Sequence, residues 1–208
     1  MSYSMKLIRR TQVAILASLT FACVSGCNRE SSNEAIGHGQ NALQNGDYPA
    51  AIRHLKRAVK LNPSNEILYF NLGMAQLLSK DYPSAITAFD QAEKLNIDGN
   101  TEALEGLAEA RRQLGDYAGA IQAFERAIEK VNRKAHLVAG MAVCEMEQGN
   151  DENAYELLQQ ALGTDNHEPV ALFNMAVLMQ KPKYNEPQKA AELYARFLLE
   201  SNNKSTYP

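Results

Sequence analysis

Cysteine is scarce in this chain, and its placement matters more than its number. Of three cysteines, Cys23 and Cys27 fall near the N-terminus and Cys144 stands alone in the body. Residues 28–208 hold a single cysteine, so no disulfide can form within them and packing must supply their stability. Basic charge is also short. Lys and Arg number 21 against 24 Asp and Glu, a formal charge of −3, which argues against a general nucleic-acid binder. The histidines His38, His54, His136 and His167 have no metal-ligand spacing. There is no Gly-rich phosphate loop, and no Ser or Cys has a basic partner in a recognisable catalytic frame. The sequence therefore predicts no enzyme, no metal and no cofactor. The apolar stretch Val13–Val24 is too short to act as a stable membrane-spanning anchor.

What is present begins with that stretch. Lys6, Arg9 and Arg10 precede it with no acid among them, and Ser25-Gly26-Cys27 follows. Positive, then apolar, then small is the order of an export signal. Removing residues 1–26 takes away those three cations and moves the formal charge from −3 to −6. Residues 27–33 then form a short polar tether, and Asn28 to Asn33, fully extended at about 3.5 Å per residue, reaches roughly 20 Å.

The body is organised around Glu66–Gly99, whose neighbours are imperfect copies of it. Apolar and small residues recur at helical spacing from Ile67 to Leu78, a turn follows at Ser79–Tyr82, and a second helical pattern runs from Pro83 to Lys94. Pro83 stands where a first helical turn tolerates it. Each copy is thus a helix hairpin. Units start near residues 32, 66, 101, 135 and 169, so about five hairpins tile residues 34–200 and leave 201–208 as a polar tail. The eighth position of the units holds Gly39, Gly73, Ala108, Ala142 and Ala176, and the twentieth holds Ala51, Ala85, Ala120 and Ala154. Small residues there let helix backbones approach closely. The twenty-fourth holds Leu55, Phe89, Phe124 and Leu158, followed one turn later by Ala58, Ala92, Ala127 and Ala161. A large knob and a small gap at that spacing pack each second helix on the next unit's first. Cys144 takes a position filled by Ala75, Ala110 and Leu178 in sister units, which suits a small buried hydrophobe. The expectation is an all-α solenoid.

These units resemble tetratricopeptide repeats over about residues 32–200. The resemblance implies a right-handed superhelix of antiparallel hairpins that serves protein–protein interaction. Two departures stand out. The Trp of the family pattern is missing, with Ala35, Tyr69, Leu104, Val138 and Leu172 in its place. The fifth unit has extra residues in its turn, Lys181–Pro187, so its small-then-large pair becomes Ala190 and Tyr194, with Phe197 where Ala is usual. That end is either a divergent cap or a docking surface. The close of the export signal, Val24-Ser25-Gly26-Cys27, resembles a bacterial lipobox. It implies a cut before Cys27, acyl chains on that cysteine and hence a membrane link. Asn28, rather than Asp, follows Cys27; by the enterobacterial sorting rule this favours the periplasmic face of the outer membrane. The whole is similar to repeat lipoproteins that help assemble type IV pili, secretion pores or cell-wall complexes.

The same resemblance implies that the first helices line a concave groove. Unit two presents Phe70, Asn71 and Met74 to it, and unit five presents Phe173 and Asn174. An Asn amide both donates and accepts, so it reads any extended backbone, while apolar side chains select among partners. The aromatic residues equally suit packing between first helices. Unit three presents Glu102, Glu105 and Glu109, with Arg112 one turn on, a band suited to a Lys or Arg of a partner or to water. The family's carboxylate clamp is absent, because Ile36, Gln40, Phe70, Met74, Glu105 and Glu109 hold its positions. No sixth unit follows the last helix, and Tyr194, Phe197 and Leu198 are expected to face outward for self-association or a partner. In unit one, Arg53, Lys56, Arg57 and Lys60 form a basic face suited to anionic head groups or simply to water. The expected function is a lipid-anchored scaffold holding a segment of another envelope protein in its groove. The alternative is a structural lipoprotein that forms a homo-oligomer through its last helix and leaves the groove empty.

Overall fold

The computed structural model describes residues 32–96, 101–132 and 134–204. The export signal, Cys27, residues 28–31 of the expected tether and residues 205–208 of the expected tail lie outside the described residues, whereas residues 32–33 and 201–204, expected in the tether and the tail, are helical. Among those residues the chain forms ten helices. They are α1 (Ser32–Gln44), α2 (Tyr48–Leu61), α3 (Glu66–Leu78), α4 (Tyr82–Leu95), α5 (Glu102–Gln113), α6 (Tyr117–Lys130), α7 (Ala135–Gln148), α8 (Asp151–Thr164), α9 (Pro169–Gln180) and α10 (Pro187–Lys204). Each helix packs on the one before it and the one after it, and the first helices of neighbouring units touch as well, α3 with α5 and α7 with α9. That contact pattern is an α-solenoid of hairpins. None of the described helices is long and apolar enough to cross a membrane.

One device makes the first four turns. The N–H groups of Asp47, Asp81, Asp116 and Asn150 donate to the carbonyls of Ala42, Gln76, Arg111 and Glu145, each at 2.9 Å. Each bond closes over a left-handed residue: Gly46, Lys80, Gly115 and Gly149. The aspartates then cap the next helix. Asp47 accepts from the Ala50 N–H at 3.0 Å, Asp81 from Ser84 at 3.4 Å and Asp116 from Gly119 at 2.9 Å. A single residue therefore ends one helix and starts its partner. Asn150 instead donates its amide to Glu145 at 2.8 Å.

The knobs sit as the repeat requires. Leu55, Phe89 and Leu158 are fully buried, and the alanines of the twentieth and twenty-seventh positions are buried around them. A Cβ added to Gly73 would lie 2.8 Å from the Phe89 ring, and one added to Gly106 in the next unit would lie 2.5 Å from the same ring. Phe89 is thus wedged between α3 and α5. Phe124 meets Gly140 in the same way, at 2.6 Å.

The fifth hairpin departs from the pattern in two ways. Its longer turn folds back on the start of α8, where Lys181 pairs with Asp151 and Lys183 with Glu152. Tyr184 stacks on Tyr155 at 5.3 Å and donates its hydroxyl to the Asp151 carbonyl at 3.1 Å. On α10 the buried pair is Ala190 and Leu193, not Ala190 and Tyr194. Tyr194 and Phe197 consequently turn inward and are half-buried, with rings 5.6 and 5.4 Å from Phe173. The expected outward trio is therefore divided: Leu198 is exposed, and its apolar neighbour at this end is Leu199, the two being 58% and 64% exposed.

Candidate partner-binding groove

The sixth position of the units explains why an Asn can stand in the groove at all. It holds Asn71 and Asn174 in units two and five but Gly106 and Gly140 in units three and four. The glycines follow the units whose knobs are Phe89 and Phe124, and those rings fill the space a Cβ would need. The asparagines follow Leu55 and Leu158, shorter knobs that leave room for a side chain.

The two asparagines are then used differently. Asn174 donates its amide to the Val170 carbonyl of its own helix at 2.8 Å. The Asn71 side chain is half-buried and has no hydrogen bond to any described residue. It lines a cleft of about 310 Å³ together with Gln40 of α1, Ile67 and Phe70 of α3, Asn96 beyond α4 and Glu102 of α5. Ile67 is 58% exposed. Phe70 is shared between the cleft and the core, its ring 6.0 Å from that of Phe89. Met74, one turn further along α3, is half-buried against the core around Phe89 and Leu104. Phe70, Asn71 and Glu102 are therefore brought together. Phe173 lies apart from them, in the aromatic group with Tyr194 and Phe197.

The acidic band has partners inside the chain. Glu105 accepts from the Thr101 hydroxyl at 2.8 Å and lies 3.5 Å from His136 of α7. Glu109 receives Arg112 through two bonds of 2.9 and 2.7 Å, and Gln113 through a third of 2.8 Å. Arg112 also reaches Glu147 on α7. Burial pushes the Glu109 carboxyl up, but the bonds from Arg112 and Gln113 and the charge of Arg112 outweigh it, so its pKa lies below the ordinary value. The Glu109 bonds raise the Arg112 guanidinium in turn. Like-charge repulsion along α5 is thus converted into a clamp between units three and four, and of the three acids Glu102 is the one that borders the cleft. Cys144 is fully buried, and that burial pushes its thiol up to about 11.

Gln40 stands at the ninth position of unit one, the groove position that Met74 takes in unit two, and it enters the cleft from α1. Asn96 enters from the end of α4, so the periodicity of the first helices carries no sign of it. What the cleft offers is an amide free to pair with a peptide backbone, apolar surface from Ile67 and Phe70, and a carboxylate at its edge.

Tetratricopeptide repeat profiles match residues 36–100 and 79–135, and a second profile of the same description matches 111–172. The chain belongs to the tetratricopeptide repeat family. Its architecture is that of a protein–protein interaction scaffold. Stress-induced-phosphoprotein 1 of Caenorhabditis elegans is 46% identical over 44 residues, which is 21% of this chain and only 14% of that relative's length. Among solved structures, MamA from Desulfovibrio magneticus RS-1 matches with a TM-score of 0.67 at 18% identity, over 85% of this chain and 98% of that one. PilW, a widely conserved type IV pilus biogenesis factor, matches with a TM-score of 0.67 at 17% identity, over 84% of this chain and 80% of that one. At such identities these likenesses establish the shared solenoid and nothing further.

Proposed function

We propose that this tetratricopeptide protein is a lipid-anchored adaptor of the bacterial cell envelope that holds a segment of another envelope protein in the cleft around Asn71. The observation that carries the reading is the amide of Asn71, half-buried in a cleft and without a hydrogen bond to any described residue, while its counterpart Asn174 donates to its own helix. A bound backbone satisfies that amide, and the exposed part of Ile67 and Phe70 receives an apolar side chain next to it. Acylation at Cys27 holds the chain on the membrane, with the periplasmic face of the outer membrane as the preferred side because Asn28 follows it. Assembly of type IV pili is one setting in keeping with the likeness to PilW.

Both halves are open to test. Labelled palmitate should enter the chain in a bacterial host and be absent from Cys27→Ser; no label in the unaltered chain removes the anchor. A partner co-purified with the native chain should be lost about tenfold or more in Asn71→Ala, since an unpaired buried peptide group costs about 1–3 kcal/mol. The same loss is expected for Ile67→Glu, and neither variant should change thermal stability much. Full retention of the partner by both would overturn the cleft as the binding site.

A further inference from the structure

Helix α2 carries Arg53, Lys56, Arg57 and Lys60 at helical spacing on one face, all exposed, and it contains no acid. The repeat provides an internal control. The corresponding positions hold Thr87, Asp90, Gln91 and Lys94 on α4, Gln122, Glu125, Arg126 and Glu129 on α6, and Glu156, Gln159, Gln160 and Gly163 on α8. The formal charge of the four positions thus falls from +4 on α2 to 0, −1 and −1 on its successors. Packing does not ask for cations here, because the same positions elsewhere accept acids and neutral residues. Positive charge is gathered on the outer face of the first hairpin, in a chain whose total is negative.

A second cleft, of about 560 Å³, opens beside this face. Lys56 and Lys94 line it with Asp90, Thr87 and Gln91, and it reaches Gln76 of α3. Gln76 is only 4% exposed, and its Oε1 is buried with no hydrogen-bond partner. Its counterparts in later units are satisfied within the chain: Arg111 donates to the Gly119 carbonyl at 3.1 Å, and Glu145 accepts from Asn150. A buried acceptor in this state can take a donor from water or from a ligand.

We propose that the outer face of the first hairpin docks on an anionic phospholipid surface, with a hydroxylated phosphate headgroup entering this cleft. The phosphate lies between Lys56 and Lys94, and a headgroup hydroxyl donates to Gln76 Oε1. Arg53, Arg57 and Lys60 rest on the neighbouring head groups, drawn by the surface potential. Leu61, 50% exposed at the end of α2, adds apolar contact at the same edge. The face acts independently of acylation at Cys27.

The full chain, reconstituted into vesicles, tests this by mapping lysine modification with a water-soluble amine reagent. Vesicles of phosphatidylcholine alone are compared with vesicles also containing phosphatidylglycerol, so any anchor is common to both. On the mixed vesicles Lys56, Lys60 and Lys94 should react on the order of fivefold more slowly, while Lys134, Lys183 and Lys189 are unchanged. High salt should remove the difference, and Arg53→Gln with Arg57→Gln should shrink it. Gln76→Leu should abolish any preference for phosphatidylglycerol over phosphatidic acid, which lacks the glycerol hydroxyls. Equal reactivity of Lys56 and Lys60 on the two kinds of vesicle overturns the proposal. So does protection by soluble polyglutamate with none on vesicles, which would make the partner an acidic protein.

Discussion

Lys80 holds a left-handed backbone, φ 64°, at a turn position that Gly46, Gly115 and Gly149 fill in the sister units. A side chain in that conformation costs about 1–2 kcal/mol, and the extra freedom a glycine loses on folding offsets part of this. Lys80→Gly is therefore expected to stabilise the chain by about 0.5 kcal/mol, read as a higher urea midpoint with an unchanged slope; a lower midpoint would contradict it. The turn itself is legible in the sequence, because Asp47, Asp81 and Asp116 each precede a Tyr at the same place in the repeat. The different fates of Asn71 and Asn174 are not. Both occupy the sixth position, yet one donates to its own helix and the other does not, and that choice depends on rotamers that no spacing records.

At the scale of the helix, knob and hole are coupled across units. Gly106→Ala places a Cβ 2.5 Å from the buried Phe89 ring. Overpacking of this kind costs about 1–3 kcal/mol, more than the roughly 1 kcal/mol that Ala gains over Gly in a helix. The variant should lose about 1 kcal/mol of stability. In a Phe89→Leu background the space reopens and the same substitution should become neutral or favourable, giving a coupling of at least about 1 kcal/mol in a double-mutant cycle. Additive effects would mean that Phe89 does not fill the site of the missing Cβ. The alternation of large and small residues made the first four hairpins readable in advance. In the fifth, the extra turn residues shift the phase, so Leu193 rather than Tyr194 is buried with Ala190. A rule based on constant spacing has no means of anticipating such a shift, which depends on the turn being tied to α8 through Tyr184 and Asp151.

Across the whole molecule, the surfaces of the solenoid have separate characters. The inner wall has its open cleft at units one to three, whereas further along the acids are consumed by Arg112, Thr101 and His136. This is why an acidic band visible in the sequence is only partly available to a ligand: whether a charge is paired depends on the neighbouring unit, and Glu147 and His136 both come from α7. The outer wall is basic at the first hairpin and loses that charge along the chain. The central claim is that the cleft around Asn71 holds a partner segment. The most direct measurement places a photo-reactive residue at Ile67, with controls at Glu156 and Leu198, and resolves cross-links formed in living cells to the peptide. The account predicts that Ile67 captures one segment of one envelope protein, that Asn71→Ala abolishes the capture, and that Glu156 captures nothing comparable. Capture at Leu198 alone, of a second copy of this chain, with Ile67 silent, would contradict it.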